Sequence, residues 1–293
     1  MQPAIRKATK ALKALGVSLT FDNDNVVSVR FDEVKRTPTV EDLLVLQYLK
    51  FLRDVDFYGT PVDSAMLESI RGLPFLESLN LNCSKINDSA IQVISAIKTL
   101  RRLGLMDTAV TDVSVPFVAA QKDLTSLRID GSLITSSGLK TILKQPIETL
   151  WLDGQQASRE CMALLSRSSN LRDLSLVGAA ITNTTVEPLC RSESLRSISL
   201  LRTAVTNEAL RELVDTPSLE ELSLHGSREI TDEAFTVLKQ MKSLKKVWLH
   251  DTSVTLSGLA AFEAEMVNIA IWPTAAWFQQ QRGVLAPPPQ LRP

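Results

Sequence analysis

One apolar triplet recurs along this chain and limits its fold more than any other feature. It is a hydrophobic residue at a position s, followed by others at s+3 and s+5. Leu76, Leu79 and Leu81 form one copy, and Leu100, Leu103 and Leu105 the next. Further copies are Leu124/Leu127/Ile129, Ile147/Leu150/Leu152, Leu171/Leu174/Leu176, Leu195/Ile198/Leu200, Leu219/Leu222/Leu224 and Leu244/Val247/Leu249. Weaker copies stand at both ends: Val26/Val29/Phe31, Leu52/Val55/Phe57 and Met266/Ile269/Ile271. The starts run from 26 to 266, and ten steps over 240 residues give a mean period of 24. Chance does not hold eleven copies in register, and periods of this size mark stacked repeat units.

Each unit is patterned in its second half as well. In LRSISLLRTAVTNEALRELVDTPS the period of 2 at the front reads as a strand, and the later i, i+3 spacing of Leu210 and Leu213 reads as a short helix. Between them stand capping pairs, Asn87-Asp88, Thr111-Asp112, Thr182-Asn183, Thr206-Asn207 and Thr231-Asp232. Such side chains accept hydrogen bonds from the free N–H groups of a first helical turn.

The covering motif, L-x-x-L-x-L-x-x-T/S-x-V/I-T-D/N-x-x-L-x-x-L, resembles the leucine-rich repeat superfamily over roughly residues 26–271. It is similar to the strand–helix repeats of ribonuclease-inhibitor-like and F-box-associated proteins, and to the GTxVTD-style units of bacterial proteins. One departure is that the usual ladder Asn at s+8 is replaced by Thr60, Ser84, Thr108, Ser132, Thr203 or Thr252. A hydroxyl still bonds the turn backbone, with fewer donors and acceptors than an amide. The resemblance implies an α/β leucine-rich repeat solenoid of about eleven repeats, with a parallel sheet on the concave side and helices on the convex side. At ~4.8 Å per strand the concave strip is ~48 Å long. Bare terminal units expose core, so caps are expected. Residues 1–25 read as an N-terminal cap of helix plus strand, 26–271 as the solenoid, and 272–293 as a C-terminal cap with a Pro-rich tail in which Trp277 and Phe278 fold back as a lid.

Composition narrows the function. Of 293 residues, 32 are Lys or Arg and 33 Asp or Glu, giving a net charge of −1. That balance leaves no electrostatic footprint for nucleic acid or an anionic membrane. The longest apolar run, 266–278, is short of the ~20 residues a spanning helix needs. Three cysteines form no disulfide framework, which points to a cytoplasmic setting. No P-loop, dinucleotide fingerprint, zinc motif or nucleophile elbow is present, so no cofactor and no enzymatic activity are expected.

Residues at s+4 and s+6 point out from the concave sheet. These columns hold Trp151, Trp248 and Trp272, and both histidines, His225 and His250, in adjacent units. The C-terminal end gathers Leu201, His225, Trp248, His250 and Trp272. Large amphipathic side chains of this kind anchor interfaces. Towards the front, Tyr58 stands among acidic positions that include Asp56, Asp130 and Asp153, a strip suited to steering a basic partner. The bland alternatives are rings that pack on neighbouring rungs and a solvated acidic face. His225 and His250 are close enough to share a metal, but no clear third ligand accompanies them.

The reading is therefore a monomeric module that binds a protein partner through its concave face. The alternatives are a substrate-recognition subunit of a ubiquitin-ligase-type complex and a trans-acting regulator of an enzyme. The regulator's mark would be an exposed loop residue such as Arg202 or Arg228. A metal or catalytic site at His225/His250 ranks last.

Overall fold

The structure is a computed structural model that describes residues 2–277, so Phe278 of the expected lid and the Pro-rich tail lie outside the described residues. Its strands are short because each unit commits only a few residues to the extended conformation before turning. In chain order they are β1 Ser18–Asp22, β2 Asn25–Arg30, β3 Asp54–Asp56, β4 Ser78–Asn80, β5 Arg102–Gly104 and β6 Ser126–Arg128. They continue with β7 Thr149–Asp153, β8 Asp173–Val177, β9 Ser197–Leu201, β10 Glu221–Ser223, β11 Lys246–Trp248 and β12 Ala270–Trp272. Among the described residues they form one twelve-stranded sheet in sequential order. β1 and β2 make an antiparallel hairpin, and from β2 onward neighbours pair in parallel. A parallel neighbour needs a return segment. Short helices supply it, for instance Asp88–Ile94, Ser136–Ile142, Arg159–Leu165 and Asn207–Leu213. The architecture is an α/β leucine-rich repeat solenoid.

The triplet residues fill its interior. Val55, Leu79, Leu103, Leu127, Leu150, Leu174, Ile198 and Leu222 sit in one ladder at s+3, all buried. Phe31 and Phe57 pack at a tilt at the front of this core, and Phe235 stacks against Phe262 near its end. At the N-terminal side, α1 (Pro3–Leu15) buries Ala8, Leu12 and Leu15 and ends at Gly16 in left-handed backbone.

The last unit departs from the sequence pattern. The triplet search put Ile269 at s+3 and Trp272 at s+6. The ladder instead pairs Val247 with Ile271 and Trp248 with Trp272. The unit therefore starts at Asn268, 24 residues after Leu244, and Trp272 belongs to the s+4 column. Met266 matched the apolar pattern by composition, whereas hydrogen bonding along the strand fixes the true register.

Two recurring devices lie above the strands, one within each unit and one between units. At s+7 the backbone is left-handed in eight turns, at Gly59, Cys83, Asp107, Gly131, Gly178, Arg202, Gly226 and Asp251. The hydroxyl at s+8 then bonds the turn backbone: Ser84, Thr108 and Thr252 donate to Leu81, Leu105 and Leu249 carbonyls at 2.5, 2.7 and 2.8 Å. At the helix starts the capping pairs divide their labour. Thr111, Thr135 and Thr206 accept from N–H groups of their own first turn. Asp112 reaches forward to the next unit, taking the Thr135 N–H at 2.8 Å and its hydroxyl at 2.6 Å. Asp88 does the same for Thr111 and Asp232 for Thr255, while Asn183 accepts the Thr206 N–H and donates its own amide N–H to the Thr206 hydroxyl.

Candidate interaction surface

The concave face is built from s+2, s+4 and s+6, alternating with the buried ladder. The middle residue of β3, β4, β6 and β10 is buried, while its neighbours on either side stay half-exposed. Each rung therefore presents two or three side chains to the open side of a floor fixed by the core beneath it.

At the C-terminal end the structure brings the anticipated aromatic residues together. His225 and His250 stack with ring centroids 5.5 Å apart, and His250 meets Trp272 at 5.8 Å. Trp277, outside the repeat columns, completes the cluster edge-on to His250 at 5.6 Å and 6.1 Å from Trp272. His250 is thus 8% exposed and its Nε2 has no hydrogen-bond partner. Burial pushes its pKa below the usual 6.5, and the neighbouring His225 adds to the shift against Asp251. His225 remains more open, its Nε2 3.4 Å from Asp251. Trp248 and Trp272 are cross-strand neighbours, both half-buried, and Leu201 lies one rung before His225 at the end of β9. Among the described residues no three His, Cys, Asp or Glu side chains are grouped to hold a metal ion.

The remaining anticipated residues lie elsewhere on the strip. Trp151 sits on β7, in register with Arg128 and Ser175. Asp130 is buried and bonded to Arg128 at 3.0 Å; burial raises its pKa and Arg128 opposes the rise. Asp153 is occupied by the turn, accepting from the Gly131 N–H at 2.6 Å and the Gln155 N–H at 2.8 Å. Asp56 accepts from the Tyr58 N–H at 2.9 Å, and burial raises its pKa. Tyr58 itself is half exposed. The acidic strip is therefore partly internal scaffolding: Asp130 pairs with Arg128, and Asp56 and Asp153 hold turn N–H groups, while Tyr58 stands half exposed. Asp173, a further acidic position of this strip, is exposed at the start of β8; partial burial of its carboxylate raises its pKa, with Thr149 opposing.

No family model and no curated protein matches this chain. Solved structures do. The yeast Rad7–Elc1 complex aligns over 84% of this chain and 72% of the other at TM-score 0.54 and 17% identity. An internalin C2 from Listeria monocytogenes aligns over 86% and 93% at TM-score 0.42 and 18% identity. The leucine-rich repeat ectodomain of the Arabidopsis receptor kinase HAESA, solved with an extended IDA peptide hormone, aligns over 86% and 45% at TM-score 0.48 and 15% identity. At these identities the likeness is one of fold. Among the described residues no helix is long and apolar enough to cross a membrane.

Proposed function

We propose that this chain is a protein-interaction module that binds a protein partner through its concave face, with the C-terminal aromatic end as anchor. One observation carries the reading. Trp248 and Trp272 stand side by side on adjacent strands, half-buried, over a floor held by the buried ladder and the His225–His250–Trp272–Trp277 cluster. Rigid aromatic side chains that lose little entropy on contact are what interface hot spots use. Leu201 and His225 extend the anchor, Trp151 marks the middle of the strip, and Asp56 with Tyr58 offer selectivity at the front. On this reading the module acts by binding.

The test is affinity capture from cell lysate with wild type beside Trp248→Ala/Trp272→Ala, with circular dichroism to show that both fold. A protein retained by wild type and lost by the double variant is the expected result. Capture of the same partners by both would overturn the concave C-terminal assignment. The identity of the retained protein separates the finer readings: ubiquitin-ligase components point to a substrate-recognition subunit, an enzyme whose rate changes on binding to a trans-acting regulator. For the regulator, substituting Arg202 or Arg228 would abolish the rate effect while binding persists.

A further inference from the structure

A second apolar surface lies outside the concave face, near the N-terminal end. Leu44, Tyr48, Phe51 and Phe75 are 44%, 49%, 50% and 51% exposed. Their neighbours Leu43, Leu46, Leu49 and Leu52 point into the core, so the fold does not need these four side chains for burial. Phe51 and Phe75 occupy the same position, one residue before s, on adjacent units. Their rings stack, with centroids 6.2 Å apart and planes 12° from parallel. Later units carry Thr99, Asp123, Pro146, Asn170, Ser194, Ser218 and Ser243 in that column. A small or polar residue therefore serves the solenoid there, and an aromatic one is not required. Stacking steadies the two rings against each other, yet half of each ring stays in water. A grouped set of half-exposed large apolar side chains is the mark of a contact surface.

The charge around it is mostly positive, with Glu41 and Glu77, whose N–H bonds the Arg53 carbonyl, as the nearby acidic exceptions. α1 carries Arg6, Lys7, Lys10 and Lys13 with no acidic residue, and it packs on the short turn Leu44–Tyr48. Lys50 and Arg53 flank Phe51 in sequence and are exposed. Among the described residues, none of Arg6, Lys7, Lys10, Lys50 and Arg53 takes part in an ion pair. In a chain of net charge −1 these cations mark a local positive field beside an apolar shelf.

We propose that this face docks an acidic, amphipathic segment of a partner protein. The segment's apolar side chains lie on the Phe51–Phe75 shelf and against Tyr48, and its carboxylates face Lys50 and Arg53. The mutually stacked rings form a flat, preorganised platform, which suits the packed core of a protein interface. The surrounding cations favour an acidic segment over a neutral or basic one and speed its encounter.

The test is selection of displayed random peptides on the immobilised full chain. Peptides combining Asp or Glu with Leu or Phe are expected. Their affinity falls at least about tenfold on Phe51→Ala/Phe75→Ala and on Lys50→Glu/Arg53→Glu, as loss of anchor or steering residues requires. It falls with added salt and is unchanged on Trp248→Ala/Trp272→Ala, which separates this surface from the concave one. The charge-reversed variant changes only exposed side chains, so it keeps the test valid if the phenylalanine variant unfolds. Selected peptides without acidic residues, or peptides indifferent to both double variants, would overturn the proposal. So would two other results that depend on the same residues: co-sedimentation with phosphatidylserine vesicles without peptide binding, which assigns the face to a membrane, or concentration-dependent self-association, which assigns it to a second copy.

Discussion

Four turns of this chain ask a non-glycine residue to adopt left-handed backbone at s+7: Cys83, Asp107, Arg202 and Asp251, with φ between 51° and 57°. For an L-residue that conformation costs about 1–2 kcal/mol, which glycine avoids at an entropic cost of about 0.5–1 kcal/mol. Arg202 is exposed, so Arg202→Gly is expected to raise stability by a few tenths to about 1 kcal/mol in urea unfolding. The reverse change belongs at Gly131, where φ is 70° and a Cβ would lie 2.0 Å from Asp107 Oδ1. Gly131→Ala is expected to cost about 2 kcal/mol or more. Equal stability of all three proteins would show that the turn geometry is not strained. His250 gives the residue scale a pH signature. Its folded pKa lies below 6.5, so the unfolded chain binds the proton more readily. Stability from its neutral form is fully present above about pH 6.5 and is lost as pH falls from there through the folded value. His250→Gln should flatten the decline of the melting temperature over that window. An unchanged slope would place the titration elsewhere.

The elements are joined by the forward-reaching side chains at the helix starts. Asp112 satisfies both the N–H and the hydroxyl of Thr135 in the next unit, while Gly138 leaves it room, since a Cβ there would stand 2.2 Å from Asp112 Oδ1. Asp112→Ala leaves those donors unmet and is expected to cost about 1–3 kcal/mol. Asp112→Asn should cost much less, because Asn183 and Asn207 already accept the N–H of Thr206 and Thr231 and bond their hydroxyls with the direction reversed, the amide donating. Equal losses from Ala and Asn in thermal unfolding would show that the carboxylate charge, not the acceptor geometry, matters. This device also marks where sequence reading stops. The Thr-Asp pairs were visible, and Thr111 caps its helix as such pairs suggest. That the Asp serves the following unit was not visible, because periodicity gives spacing along the chain and not which neighbour a side chain reaches. The s+3 ladder was legible because burial demands an apolar residue at every rung. The final rung was misplaced by two residues because Met266 met that demand where the strand does not begin. The aromatic cluster was half legible: His225, His250 and Trp272 stood out by type, but Trp277 lies outside the repeat and joins them only in space. Asp153 looked like a surface charge, and only the N–H groups of Gly131 and Gln155 show that the turn uses it. A clearer signal was available for the s+7 turns, where Gly59, Gly131, Gly154, Gly178 and Gly226 share one column.

Across the whole molecule, each unit touches its neighbours and little else, so stability is a sum of units and interfaces with special demands at the two ends. An internal unit and an end unit should therefore respond differently to removal. Deleting residues 172–195 takes out one 24-residue period and joins Leu171 to Arg196, which keeps s+1 after s and leaves both ends intact. That protein is expected to fold with one strand fewer and to unfold cooperatively at a somewhat lower temperature. Deleting from residue 270 onward removes β12 and the Trp272–Trp277 contact, and bares Val247 and Phe262, which are at most 1% exposed in the intact chain. Exposed core of that kind associates, so this variant should self-associate in sedimentation at concentrations where the internal deletion stays monomeric. It should also lose more stability, although both deletions are of similar length. If the internal deletion aggregates as readily as the end deletion, coupling in this solenoid extends beyond nearest neighbours. The concave aromatic end would then be one part of a global cooperative unit and not a separable cap.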